Sequence, residues 1–299
     1  MDGILIIDKP AGITSHDVVS RVRRILKTKR VGHTGTLDPF ATGVMVILVG
    51  QATRLARFLD KDEKEYEAVV RFGFETDTGD RTGSPRSEVQ SPRSLRVEEV
   101  RNVLDGFRGE IMQMPPMYSA KKVEGKKLYE HARKGEVIER QAVAVNIHEL
   151  DLSEPPALAG GKTIETVTLR VTCSAGTYIR TLAQDMGRKL GTRAHLSELR
   201  RTRAGKFTIS QSLTLDGLGK LDEPASALIE MSGAISHLPE FTVPDDRLDR
   251  TRNGLSTLVF DSAFNDGEPV QMIDTAGNLV AVGFFDADEN VVQPKVVLV

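Results

Sequence analysis

The sequence predicts an α+β fold: a mixed, largely antiparallel sheet with flanking helices, followed by a small C-terminal β-barrel. Three observations carry this. Strand-like runs outnumber helical ones and do not alternate with them regularly, which argues against a doubly wound α/β fold. Residues 65–74 place Tyr66, Ala68, Val70, Phe72 and Phe74 on one face, the period of two of a half-buried strand. Near residue 240 the composition changes. From Phe241 to Val299 there are four basic and ten acidic residues, and short β-rich runs (LSTLVF, EPVQMID, NLVAVGFF, KVVLV) are separated by Gly, Asn and Asp. The predicted units are residues 1–236 and a separate β-domain at 237–299.

Each element has a local reason. GILIID at 3–8 reads as a strand and Lys9-Pro10-Ala11-Gly12 as a turn. Ser15 is placed to cap a helix whose apolar face is Val18, Val19, Val22, Ile25 and Leu26. A Gly-rich loop from Gly32 to Gly43 leads to the apolar run Val44–Val49, too short to cross a bilayer and suited to a buried strand. Residues 75–94 are polar and rich in Gly, Ser and Pro, and read as a loop. Residues 97–107 suit a helix, and 121–140 form a charged stretch around a short one. SEPPALAGGK at 153–162 breaks the pattern. Val167, Leu169, Val171 and Cys173 share one face of a strand, and a Gly176-Thr177 turn opens a helix with Ile179, Leu182, Ala183, Met186 and Leu190 inward.

Composition narrows the function. The 299 residues carry 40 basic and 42 acidic side chains, a net of −2, so the chain is no polycation that coats nucleic acid. Its 39% hydrophobic and 27% charged residues are those of an ordinary globular protein. One cysteine, Cys173, excludes an internal disulfide framework and a Cys-based zinc cluster, and fits a reducing compartment. Asp2, Asp8 and Lys9 interrupt the N-terminal apolar stretch, so no signal peptide is expected. Charge is nevertheless partitioned. From Arg170 to Lys206 nine basic residues face two acidic ones, a local net of +7, which suggests a phosphate-binding surface.

The most unusual segment is GHTGTLDPFATG at 32–43, where three glycines and a proline surround one carboxylate, Asp38. Glycine permits close ligand approach. Pro39 restricts Asp38 to extended geometry. Asp38 is thus either a catalytic carboxylate on a rigid loop or a turn former, since Asp-Pro commonly initiates turns. Other chemistries fail. GGKT at 160–163 imitates a P-loop, but Pro156 stands where its first glycine must be. The six histidines lack metal-ligand spacing, and there is no nucleophile-elbow serine or dinucleotide fingerprint. A carboxylate glycosidase would need a second, paired acid.

GHTGTLDPFATG resembles the catalytic loop of the TruB-type tRNA pseudouridine-55 synthases of the stand-alone bacterial kind. So do KPAG at 9–12, KEYEA at 64–68, PPMYSAKKVEGKKLYEHARKGE at 115–136, GTYIRTLAQDMG at 176–187 and LRRTRAGKF at 199–207. The resemblance runs in order over about residues 3–210. The last 59 residues resemble a PUA domain through RNG at 252–254, LVAVGFF and the terminal PKVVLV.

The resemblance implies the pseudouridine synthase fold and a cofactor-free isomerase that flips one uridine out of the T-loop of tRNA. The N-glycosidic bond breaks and the base rejoins the ribose through C5. Asp38 matches the catalytic carboxylate, with attack on ribose C1′ or on the base left open. Arg180 matches the arginine that pairs with it, a role that explains a cation at a helix start. Tyr66 matches a tyrosine that stacks on the base, with proton removal from C5 as a second implied role; its pattern also fits plain core packing. Tyr178 and Leu199 match pocket positions, and His33 a histidine that fills the space the flipped base leaves. Implied RNA contacts are Lys9, Lys121, Lys122, Lys126, Lys127, Arg133, Arg200, Arg201 and Arg203, several on a thumb at about 115–142. Val143 departs from the pattern, standing where a basic residue is common. The implied partner is tRNA through its T-arm. No cofactor, metal, membrane or protein partner is expected, and the chain is expected to act as a cytoplasmic monomer. A non-catalytic RNA-binding or tRNA-folding protein, and a guide-RNA-dependent relative, are the alternatives.

Overall fold

The computed structural model describes residues 1–298 apart from 61, 87–94, 124, 154–156, 160–162 and 261–262, and at 122, 127, 157–159 and 163 it describes the backbone alone. The P-loop-like GGKT and the second half of the 75–94 loop therefore fall largely outside the described residues, as do the side chains of Lys122 and Lys127.

β1 (Gly3–Lys9) leads through α1 (Ser15–Ile25) to β2 (Val31–Thr34) and β3 (Thr42–Val49). A 3-10 helix at Gly50–Phe58 precedes β4 (Lys64–Phe72) and α2 (Val97–Asp105). Next come β5 (Gly109–Gln113), the small hairpin β6 (Lys122–Val123) and β7 (Lys126–Lys127), α3 (Leu128–Ala132) and β8 (Val143–Leu152). β9 (Ala157–Ala159), β10 (Thr163–Cys173), α4 (Ile179–Lys189), β11 (Ala194–Ala204), β12 (Phe207–Thr208), β13 (Leu213–Thr214) and α5 (Leu215–Gly219) follow. After α6 (Met231–Ala234) the chain forms β14 (Glu240–Thr242), α7 (Leu248–Arg252), β15 (Thr257–Leu258), β16 (Pro269–Ile273), β17 (Leu279–Asp286) and β18 (Val291–Val297).

The main path of the large sheet is β13-β1-β3-β11-β4-β10-β8-β5. Its pairings are antiparallel except β1 with β13 and β3 with β11, as the α+β reading expects. β4 alternates as predicted: Lys64, Tyr66, Ala68, Val70 and Phe72 are buried. It stops two residues early. Gly73 turns at φ +110 and donates its N–H to the Arg193 carbonyl, so Phe74 leaves the strand and stacks on His195 at 4.4 Å. β1 and β3 read as unbroken apolar runs because both faces are covered. Leu5, Ile7, Met45 and Ile47 enter a core with α1, α2, α4 and α5, while Ile4, Ile6, Val44 and Val46 enter another. No helix among the described residues is long and apolar enough to cross a membrane.

Three expectations are corrected. The cap of α1 is Thr14, in a capping box with Asp17; Ser15 is buried and already committed elsewhere. Gly32 to Thr34 of the expected loop belong to β2, because they pair with β3 from Leu48 to Val46. The C-terminal strands form an open five-stranded sheet, β14-β16-β17-β18-β15, whose edge strands do not pair with each other among the described residues. Leu279, Val282, Val296 and Leu298 of that sheet share the second core with β1 and β3.

Candidate active site

Asp38 lies on the connection from β2 to β3. Leu37, Phe40 and Ala41 beside it are buried and anchor the connection, while the Asp38 side chain stays 31% exposed. Ser15 rivets the loop from α1: its Oγ donates to the Leu37 carbonyl and accepts from the Leu37 N–H, each at 2.9 Å. Lys9 holds the other side. Its Nζ donates to the carbonyls of Ala41 at 2.6 Å, Pro10 at 3.0 Å and Pro39 at 3.2 Å. The loop then enters the parallel junction where Gly43 faces Arg201. A Cβ on Gly43 would stand 2.2 Å from the Arg201 carbonyl oxygen, so only glycine allows this approach. Arg201 is 1% exposed and donates to the carbonyls of Val44 at 2.7 Å and Gly35 at 3.0 Å.

Arg180, in the first turn of α4, meets both oxygens of Asp38: Nε to Oδ2 at 2.8 Å and Nη2 to Oδ1 at 3.2 Å. This is the two-pronged geometry that a planar guanidinium favours. The rest of its fork is fixed by the carbonyls of Thr78 and Tyr118, each at 2.7 Å, and Asp80 lies 4.0 Å from Nη1. Asp80 is itself buried and accepts from Thr78 and Thr82. Burial pushes the Asp38 carboxyl above the ordinary carboxylate value, and the Arg180 guanidinium opposes that push.

The pair opens onto a cavity of about 330 Å³ lined by Tyr66, Tyr178, Leu199, Lys64 and Lys121, a volume suited to a small ligand. Burial pushes the Tyr66 phenol above its ordinary value, and the neighbouring Arg201 opposes that push. Lys64 is buried beneath the mouth, with its Nζ on the Asp60 and Asp62 carbonyls, and burial lowers its pKa. Cys173 is buried and pushed up to about 11, so its thiol is inert.

The structure thus brings Asp38, Arg180, Tyr66, Tyr178, Leu199 and Lys121 together. Arg201 lines the same cavity from beside Tyr66; the other predicted residues whose side chains are described lie outside it. His33 sits on β2 opposite Ile47, outside the cavity lining, and burial lowers its pKa. Lys9 and Arg201 are both buried: Lys9 donates to loop carbonyls, and Arg201 donates to the Val44 and Gly35 carbonyls from the wall of the cavity. Arg200 is clamped by both oxygens of Asp8, at 2.8 and 3.2 Å, and Arg203 lies between Glu63 and Glu65. Lys126 and Arg133 are exposed on the thumb, where Arg133 covers the Tyr129 ring. Asp80 and Lys64 were not singled out from the sequence. The carboxylates of DTGD at 77–80 offered a weak signal, and Lys64 only its place at the head of the KEYEA motif.

Residues 23–179 match the TruB family pseudouridylate synthase N-terminal domain, and residues 180–230 the tRNA pseudouridylate synthase B C-terminal domain. The chain is 44% identical over 290 residues to tRNA pseudouridine synthase B of Solibacter usitatus (strain Ellin6076), covering 95% of each. It is 39% identical over 306 residues to the protein of that name from Bacillus pumilus (strain SAFR-032), covering 100% of this chain and 98% of the other. Among solved structures, a chain of a Cbf5-Nop10-Gar1 complex superposes with a TM-score of 0.75 at 27% identity, covering 99% of this chain and 85% of that one. A chain of an H/ACA RNP bound to a substrate RNA containing 2′-deoxyuridine gives 0.74 at 25% identity, with the same coverage.

Proposed function

The chain belongs to the TruB family of pseudouridylate synthases, and from that membership we propose that it isomerises a uridine of the tRNA T-loop with Asp38 as its catalytic carboxylate. It is an isomerase that makes pseudouridine in tRNA. The observation that carries the residue assignment is the Asp38–Arg180 pair at the mouth of the cavity.

The reaction breaks the N1–C1′ bond, forms a C5–C1′ bond, releases the C5 proton and returns a proton to N1. It is balanced without an external electron or group. Asp38 supplies the nucleophilic oxygen and must be ionised to do so. Arg180 favours that ionised form and fixes its orientation. Flipping places the uracil ring against Tyr66 and Leu199, which replace the stacking it leaves. Lys121 stands at the mouth for the flanking backbone, and the exposed thumb cations extend the grip. The C-terminal sheet acts as a PUA-like unit that assists docking. Its six-charge acidic excess confines phosphate contact to a few residues such as Arg250, Arg252 and Lys295. The chain works alone, as a monomer.

The test is tritium release from a tRNA transcript labelled at uracil C5, using the purified chain and no guide RNA. Wild type should release tritium, and Asp38→Asn should bind the transcript yet turn over on the order of 10³-fold more slowly. Substantial release by Asp38→Asn overturns the assignment. The likeness to the H/ACA chains favours a second reading, a guide-dependent enzyme; wild type inactive without a guide would support it.

A further inference from the structure

The thumb leaves the large sheet after Gln113 and returns at Val143, its partner across β5 and β8. Gln113 is fully buried at that root, and both ends of its amide are bound to one residue 65 positions away. Its Oε1 accepts from the Tyr178 backbone N–H at 2.9 Å, and its Nε2 donates to the Tyr178 carbonyl at 3.2 Å. Tyr178 is the N-cap of α4 and makes no capping hydrogen bond with its own side chain. In a capping box a Glu or Gln at the third helical position satisfies the N-cap N–H. Here that position is Thr181, whose hydroxyl donates away from the helix, to the Met114 carbonyl at 3.3 Å. Gln113 does the missing work from another strand. Arg180 sits one residue before Thr181, and its Nη2 is tied to the Tyr118 carbonyl within the thumb segment.

We propose that Gln113 is a positioning residue for pseudouridine formation: its amide fixes the Tyr178 backbone and the start of α4, so that the Arg180 guanidinium meets both oxygens of Asp38. The inference rests on the reading of Asp38 and Arg180 above. The Tyr178 carbonyl also accepts from the Leu182 N–H at 3.1 Å, so removing the amide strands the Tyr178 N–H, and a shift at the start of α4 is its way to a new partner. A small shift there separates a pair whose geometry is part of the chemistry. A displacement of the thumb root reaches the catalytic pair by the same route.

The experiment compares wild type, Gln113→Met and Gln113→Glu in tritium release from the tRNA transcript, with kcat, KM and the pH profile of kcat as readouts. Met keeps the volume and removes both hydrogen bonds; Glu keeps the volume but replaces the donor with an oxygen that is repelled by the Tyr178 carbonyl, and carries the test where Met does not fold. The expected result is a fall in kcat of about 10–100-fold, in line with the cost of sub-ångström to ångström misplacement, with KM changed less than about threefold. The acid limb should move to higher pH, because a displaced Arg180 no longer opposes the burial of Asp38. Combined with Arg180→Lys, either substitution should cost less than it does alone. Unchanged kcat, an unmoved acid limb, or fully additive losses would overturn the proposal. Asp38→Asn is run alongside. If it stays active, the reading of the site fails; if it is inactive while the Gln113 variants behave as wild type, only this inference fails.

Discussion

Asp38 is caught between two opposed effects, and the balance makes its behaviour predictable. Burial favours the protonated acid, and Arg180 favours the carboxylate. The proposed mechanism uses the ionised form, so it predicts that kcat falls as pH drops through the Asp38 pKa. Arg180→Ala removes the larger of the two cations that oppose burial, Lys9 being the other, and should move that limb to higher pH, besides lowering the plateau. A pH–rate profile with an unmoved limb would show that the pair does not govern ionisation. Lys9 behaves in the opposite sense. Burial lowers its pKa to about 8 from 10.5, so the folded protein binds fewer protons than the unfolded chain between those values. Stability contributed at this site therefore rises with pH across that window and is lowest below it. Lys9→Met should abolish this rise and cost about 1–3 kcal/mol near pH 7 by stranding the loop carbonyls that Lys9 binds. Urea melts of both proteins across the window check it; parallel curves would refute it.

Elements divide into those that shape the loop and those proposed to meet RNA. The β3–β11 junction belongs to the first kind. Gly43→Ala drives a Cβ into the Arg201 backbone, so the two strands must part and carry Asp38 with them. The expected loss is about 2 kcal/mol or more, with reduced turnover at saturating tRNA. A variant that melts and turns over like wild type would show that the junction yields freely. The thumb belongs to the second kind. Lys126→Ala and Arg133→Ala should weaken tRNA binding and each reduce the slope of log K against log salt by about 0.7–0.9. Arg203→Ala, whose cation already faces Glu63 and Glu65, should leave the slope nearly unchanged. Equal slopes for all three would place the RNA elsewhere.

Across the whole molecule, the basic stripe from Arg170 to Lys206 is largely neutralised. Arg180 meets Asp38, Arg188 and Arg193 share the buried Glu75, Arg200 meets Asp8, and Arg201 is buried on carbonyls. The net of +7 in sequence is therefore not a free cationic face. The C-terminal sheet is likewise less independent than its composition predicts, because Val282 and Val296 pack with Ile4, Ile6 and Val44. A chain ending at Ser236 should expose that face, melt lower and aggregate on heating. Val282→Ser, within the full chain, should cost about 2 kcal/mol. A cut chain that melts with the full-length protein would show that the shared core adds nothing to stability.

Some features needed only neighbours in sequence. The alternation of β4, the amphipathic faces of α1 and α4, and the glycine- and proline-bounded exposure of Asp38 depend on residues a few positions apart, so periodicity and turn chemistry reveal them. The resemblance of the Asp38 and Arg180 motifs also named two residues whose side chains the fold brings into contact. Other features depend on what the fold carries in from far away. Arg180 reaches Asp38 across 142 positions, Arg200 reaches Asp8 across 192, and Gln113 reaches Tyr178 across 65. Lys9 and Arg201 look like surface cations in sequence, yet burial and the carbonyls around them make them the frame of the loop. Whether a charge is free, paired or buried is decided by desolvation and by the partners that tertiary packing brings to it, and neither is written in the local pattern.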